Sequence, residues 1–72
     1  MTIFKKKNNV PVLFLLLNDA ALRAQEKGDN KFYYALYDME LSNADKWCKQ
    51  NNAKYSIDHI SDGNKIYKFT LL

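Results

Sequence analysis

A chain of 72 residues makes one small domain, and a fold of that size hides only about 60% of the surface its unfolded form exposes, which leaves little volume for a substrate pocket beside a core. With 47% hydrophobic and 26% charged residues the composition is globular and excludes disorder along the whole chain. The net charge of +3 comes from eleven Lys+Arg against eight Asp+Glu. Three of those bases, Lys5, Lys6 and Lys7, stand in residues 1–9, which hold no acid, so the other eight bases and the eight acids cancel. The chain therefore divides into a basic N-terminal tail, 1–9, and a single small α+β domain, 10–72, that is neutral in sum.

Lys5–Lys7 followed by the apolar run Val10–Leu17 has the outline of a signal-peptide start. The run is short, contains Pro11, ends directly on Asn18-Asp19 and is followed by no small-residue cleavage site, so secretion is not expected. It is also far below the ~20 apolar residues that a membrane-spanning helix needs. Cys48 is the single cysteine, which excludes an internal disulfide and fits a reducing compartment. The cytoplasm, with no membrane partner, is the expected location.

Pro11 suits the first turn of a helix. Leu13, Leu16, Leu17, Ala20, Ala21 and Ala24 follow at three- and four-residue spacing, strong helix formers fill the later turns, and Gly28 supplies the left-handed residue after Lys27. A helix over 11–27 is predicted, the alternative for its first half being a buried strand over Val10–Leu17, since a short apolar run has no period of its own. Asp29 or Asn30 then caps a second helix beginning at Lys31, bent near Ser42, with Phe32, Leu36, Met39 and Trp47 on one face. Ser42-x-x-Asp45 is a competing start, on which 31–40 is a strand and only Ser42–Asn51 is helical.

Ser61-Asp62-Gly63 separates two β-branched and aromatic runs, Tyr55–Ile60 and Lys65–Leu71, a hairpin signal. A two-residue Asp62-Gly63 turn pairs Ile57 with Lys68 and mixes the faces. A three-residue loop pairs Ile57 with Tyr67 and Tyr55 with Phe69, collecting the apolar side chains on one face, so three residues are predicted. The fold class is thus α+β, an N-terminal helical hairpin packed on a C-terminal antiparallel β-hairpin. The alternative is β-α-β-α-β-β, with 31–40 as a strand and Thr2–Lys5 as a further one. A two-stranded ribbon leaves both edges open, which invites a third strand or a homodimer through a strand edge.

Little in the chain carries chemistry. Cys48 and His59 are single, lie on different predicted elements and lack an orienting third group. They also fall short of a zinc ligand set, which takes four N or S donors. Asp38 and Glu40 fit a solvated edge or a partner contact better than acid–base catalysis, and phosphate-loop, Rossmann and nucleophile-elbow signatures are all lacking. No enzyme, no cofactor and no metal are expected.

Ten aromatic residues, five of them Tyr, exceed what so small a core hides, and Tyr side chains are favoured at interfaces. Tyr33, Tyr34 and Tyr37, with Asp38 and Glu40 as a polar rim, are the expected partner-binding patch. Ten Lys against one Arg, with eight Asn, reflects AT-rich codons. Size, aromatic surplus, neutral body and codon usage together make the chain similar in type to the small inhibitors that phages and mobile elements direct at host defence or restriction proteins. The expected function is a non-enzymatic, protein-binding module that blocks a host protein sterically in the host cytoplasm. The alternative is a small DNA- or RNA-binding regulator using Lys5, Lys6 and Lys7.

Overall fold

The computed structural model describes residues 10–72; the basic tail and the Thr2–Lys5 strand lie outside the described residues. Helix α1 spans Val12–Glu26. Pro11 precedes it with an extended backbone, and its carbonyl accepts the Phe14 N–H at 3.0 Å. At the far end the Gly28 N–H donates to the Gln25 carbonyl and the Asp29 N–H to the Ala24 carbonyl, both at 2.9 Å. That pair of bonds is a Schellman closure, which needs the left-handed φ of +84° that Gly28 adopts.

Strand β1 follows at Lys31–Ala35, and after it a 3₁₀ turn, Asp38–Glu40, leads into α2 at Leu41–Gln50. Strands β2, Ala53–Ser61, and β3, Asn64–Leu71, close the chain. The three strands form one antiparallel sheet in the order β1-β3-β2, and both helices pack on one side of it.

The α+β class with helices before the C-terminal hairpin is as expected. The second helix, however, begins at Leu41 rather than Lys31, and 31–35 takes the strand alternative. Phe32-Tyr33-Tyr34 explains the choice. Three consecutive aromatics cannot share one helical stripe, whereas a strand sends Phe32 and Tyr34 inward and Tyr33 outward. The strand stops short of 40 because Tyr37 and Glu40 close a turn on each other. The Tyr37 N–H donates to Glu40 Oε1 and the Glu40 N–H to the Tyr37 carbonyl, each at 2.8 Å. That reciprocal pair brings the chain into α2 with Glu40 at its N-cap, so Ser42, the predicted cap, lies inside the helix.

The hairpin departs from expectation in an informative way. Tyr55 pairs with Phe69 and Ile57 with Tyr67, as predicted, but Ser61 pairs with Asn64. The loop is the two-residue Asp62-Gly63, both residues at positive φ (52° and 80°), the combination of a type I′ turn. The two registers are reconciled by a β-bulge between Ile57 and His59, which leaves Asp58 as the extra residue. The turn and the buried face each keep their preferred pairing, and the bulge absorbs the one-residue difference.

The core is built on one row of the sheet. Phe32, Phe69 and Tyr55 stand side by side across β1, β3 and β2. Phe32 stacks on Phe69 with centroids 5.0 Å apart, and Tyr55 stacks on the other side of Phe69 at 5.3 Å. Trp47 from α2 meets Phe32 and Phe69 edge-on at 6.1 and 5.9 Å. Such pairs add about 0.5–1.5 kcal/mol each beyond the area they bury. Leu13, Leu17 and Ala24 bring α1 onto this row. The Trp47 indole N–H donates to Asn18 Oδ1 at 2.8 Å, which ties the two helices together with a satisfied polar group.

Candidate functional site

The expected patch is divided by the fold. Strand alternation places Tyr34 inward, half-buried and packed on the core opposite Tyr67, and Tyr33 outward, on the side of the sheet away from the helices. Tyr37, Asp38 and Glu40 stay together, in the turn between β1 and α2. There Tyr37 is 69% and Met39 85% exposed. Asp38 Oδ1 accepts from Lys65 Nζ at 3.1 Å, and this contact holds the Lys65 ammonium above its ordinary pKa. Glu40 spends one carboxylate oxygen on the Tyr37 N–H.

This turn lies against the hairpin. Leu36 N–H donates to the Lys65 carbonyl at 3.2 Å, and Leu36, Asp38, Gly63 and Lys65 line a hollow of about 200 Å³. Lys65 pairs across the hairpin with Ile60. Burial declines along β2 on its helix-facing side: Tyr55 is half-buried, whereas Ile57 and Ile60 are exposed. Two exposed apolar pairs thus stand at this end of the molecule, Tyr37 and Met39 in the turn beside Asp38 and Glu40, and Ile57 and Ile60 on β2. The sequence held a signal for Ile57 and Ile60, since a nine-residue strand outruns the ~15 Å length of a ten-residue helix. Both α1 and the hairpin end expose apolar side chains, the former through Val12, Leu15, Leu16 and Leu22.

The opposite side of the sheet is polar and basic. Lys31 and Lys54 both flank Thr70, and Tyr33 and Ser56 both flank Lys68. Lys54, Ser56, Lys68 and Thr70 border an open hollow of about 490 Å³. Beyond the β1 edge a second groove, between β1 and the end of α1, is lined by Arg23, Lys27, Asp29, Lys31 and Tyr33.

Cys48 and His59 are not brought together. Cys48 is buried in the core on α2, and burial, helped by Asp45, pushes its thiol up to about 11, which makes a poor nucleophile. His59 is on the outward side, its Nδ1–H donating to Asp58 Oδ2 at 2.6 Å. Among the described residues no three His, Cys, Asp or Glu side chains gather as a metal site, and no helix is long and apolar enough to cross a membrane. No family model matches the chain, and neither a curated protein nor a solved structure matches it.

Proposed function

We propose that the protein is a non-enzymatic module that binds another protein through its hairpin end. The observation that carries this reading is the exposure of Tyr37 and Met39 in a turn that lies against the hairpin, and of Ile57 and Ile60 on the hairpin itself, in a domain small enough that every apolar side chain is wanted for the core. Tyr37 supplies large area at low entropic cost, and Asp38 and Glu40 give the rim its charge. The buried, proton-holding Cys48 and its separation from His59 support a binding role over covalent catalysis. A second copy pairing along a strand edge is a weaker reading, because β1 offers five residues and β2 is bulged at Asp58, both of which blunt an edge.

The partner we propose is a host defence or restriction protein, and the action steric: an inhibitor encoded by a phage or mobile element, working in the host cytoplasm. Small size and the Lys- and Asn-rich, AT-biased composition support that source. Affinity capture from bacterial lysate, with and without nuclease and read by mass spectrometry, tests it. The expected result is one discrete protein in both samples, lost with Tyr37→Ala/Ile60→Ser and kept with Tyr33→Thr. Equal capture by both variants removes the hairpin end from the interface, and recovery that collapses with nuclease overturns the protein-binding reading.

A further inference from the structure

The folded domain is neutral in sum, yet its charges are sorted. Of the eight bases in 10–72, Lys31, Lys54 and Lys68 stand on the side of the sheet that the described residues leave uncovered, and Lys27 joins them across the groove beside β1. None of these four forms an ion pair among the described residues, nor do Lys46 and Lys49 on α2, whereas Arg23 is held by Asp19 and Lys65 by Asp38. Carboxylates border this surface at its two ends, with Asp29 in the groove and Asp58 at the bulge.

We propose that the uncovered sheet face is a binding site for single-stranded nucleic acid, its path running from Lys27 and Lys31 past Tyr33 and Lys68 to Lys54. Lys31 and Lys54 are two strand spacings apart, about 10 Å, and Lys68 is two residues along β3 from the row between them, about 7 Å. Charges at this separation serve successive phosphates of an extended strand. Thr70 and Ser56 lie between the lysines as hydroxyl donors of the kind that phosphate oxygens accept. Tyr33 is 49% exposed and is the register partner of Lys68, which puts an aromatic side chain, on which a single-stranded base stacks, next to a cation for its phosphate.

A duplex fits poorly, since its major groove admits a helix or a two-stranded ribbon rather than a flat face three strands wide. The Tyr33 platform likewise favours nucleic acid over an acidic peptide. This site is drawn from residues of 10–72 and is separate from the hairpin end, which lies on the other side of the sheet.

The test is fluorescence anisotropy of the full chain with a labelled oligothymidylate and a labelled oligouridylate at about 50 mM NaCl, with circular dichroism confirming that each variant is folded. Lys54→Glu/Lys68→Glu is expected to weaken binding at least tenfold and to reduce the slope of log affinity on log salt by about 1.4, or ~0.7 for each phosphate no longer neutralised. Lys46→Glu/Lys49→Glu on α2 carries the same charge change and is expected to cost threefold at most. Tyr33→Thr is expected to cost about fivefold or more. Absence of binding by the wild-type chain overturns the proposal. So does an equal loss in the two lysine pairs, which makes the attraction diffuse, or competition by polyglutamate as strong as by the oligonucleotides, which makes the ligand an acidic protein.

Discussion

Cys48 and Tyr55 hold their protons for the same reason: each is drawn into the apolar layer between α2 and the sheet. Burial first, and Asp45 second, push the thiol to about 11 and the phenol, which donates to the Leu41 carbonyl at 3.3 Å, to about 12. Both folded pKa values lie above the ordinary 9.0 and 10.0. Below pH 9 the folded and unfolded chains are both protonated at these sites and stability does not depend on them. Between about pH 9 and 12 the unfolded chain releases protons that the folded chain keeps, so stability falls. Thermal unfolding is therefore expected to show a midpoint lower by roughly 5 °C or more at pH 10.5 than at pH 8, with Cys48→Ala flattening the first part of the decline. A midpoint that rises over this range contradicts the assignment. Phe69 and Tyr37 mark the extremes of the core. Phe69→Ala, at the fully buried centre of the stacked row, is expected to cost about 3–5 kcal/mol in urea unfolding, enough to leave a domain of this size largely unfolded. Tyr37→Ala should stay within about 0.5 kcal/mol of the parent.

At the scale of elements, the hairpin is where two local rules met and neither gave way. Asp62-Gly63 dictates a two-residue turn, and the alternation Tyr55–Ile57 against Tyr67–Phe69 dictates a register one residue away from it. Because the bulge at Asp58 carries that difference, removing Asp58 should leave a regular ladder with both preferences still met. The Asp58 deletion is expected to fold, with a midpoint within a few degrees of the parent. Deleting Ser56 instead forces Tyr55 or Ile57 onto the solvent side and should cost several kcal/mol. Thermal unfolding of the two deletions checks this, and equal damage in both would mean that the bulge is structurally required. Gly28→Ala, which puts a Cβ at φ +84°, should cost about 1 kcal/mol.

These same elements show what the sequence made legible. Helix 11–27 was readable within a residue at each end, since Pro11 and Gly28 are stop signals with local causes. The apolar pairing in the hairpin was readable because burial selects it. The bulge was not, as it is the residue left over when two satisfied preferences disagree. Nor was β1 as the preferred reading, because Asp29-Asn30 caps a helix as well as it opens a strand, and the contact that decides is Phe32 against Phe69, 37 residues later in the chain. Of the expected patch, Tyr37, Asp38 and Glu40 share one turn. Tyr33 and Tyr34 were bound to separate once their segment became a strand, whose period of two sends neighbours to opposite sides.

For the molecule as a whole, the sheet works as a partition. Apolar side chains left over from the core are on the helix side and at the hairpin end, and the other side carries Lys31, Lys54 and Lys68 without an ion pair among the described residues. Net charge conceals this arrangement, since carboxylates elsewhere in the domain, Glu40 and Asp45 among them, offset those lysines in the sum. The two proposed sites should therefore respond differently to ionic strength. Raising NaCl from about 50 to about 300 mM is expected to change capture of a protein partner by no more than about twofold, and to weaken oligonucleotide binding more than tenfold. Parallel loss of both would place them on one surface.

Trp47 stands where this partition is anchored: Asn18 of α1 takes its indole N–H, its ring edge meets β1 and β3, and its backbone belongs to α2. As the chain's sole tryptophan it is also its only indole fluorophore, so the emission of one side chain reports on both helices and the sheet together. Its light should shift to longer wavelength in step with the loss of far-ultraviolet dichroism, so that loosening of either helix from β1 and β3 shows as a change of colour.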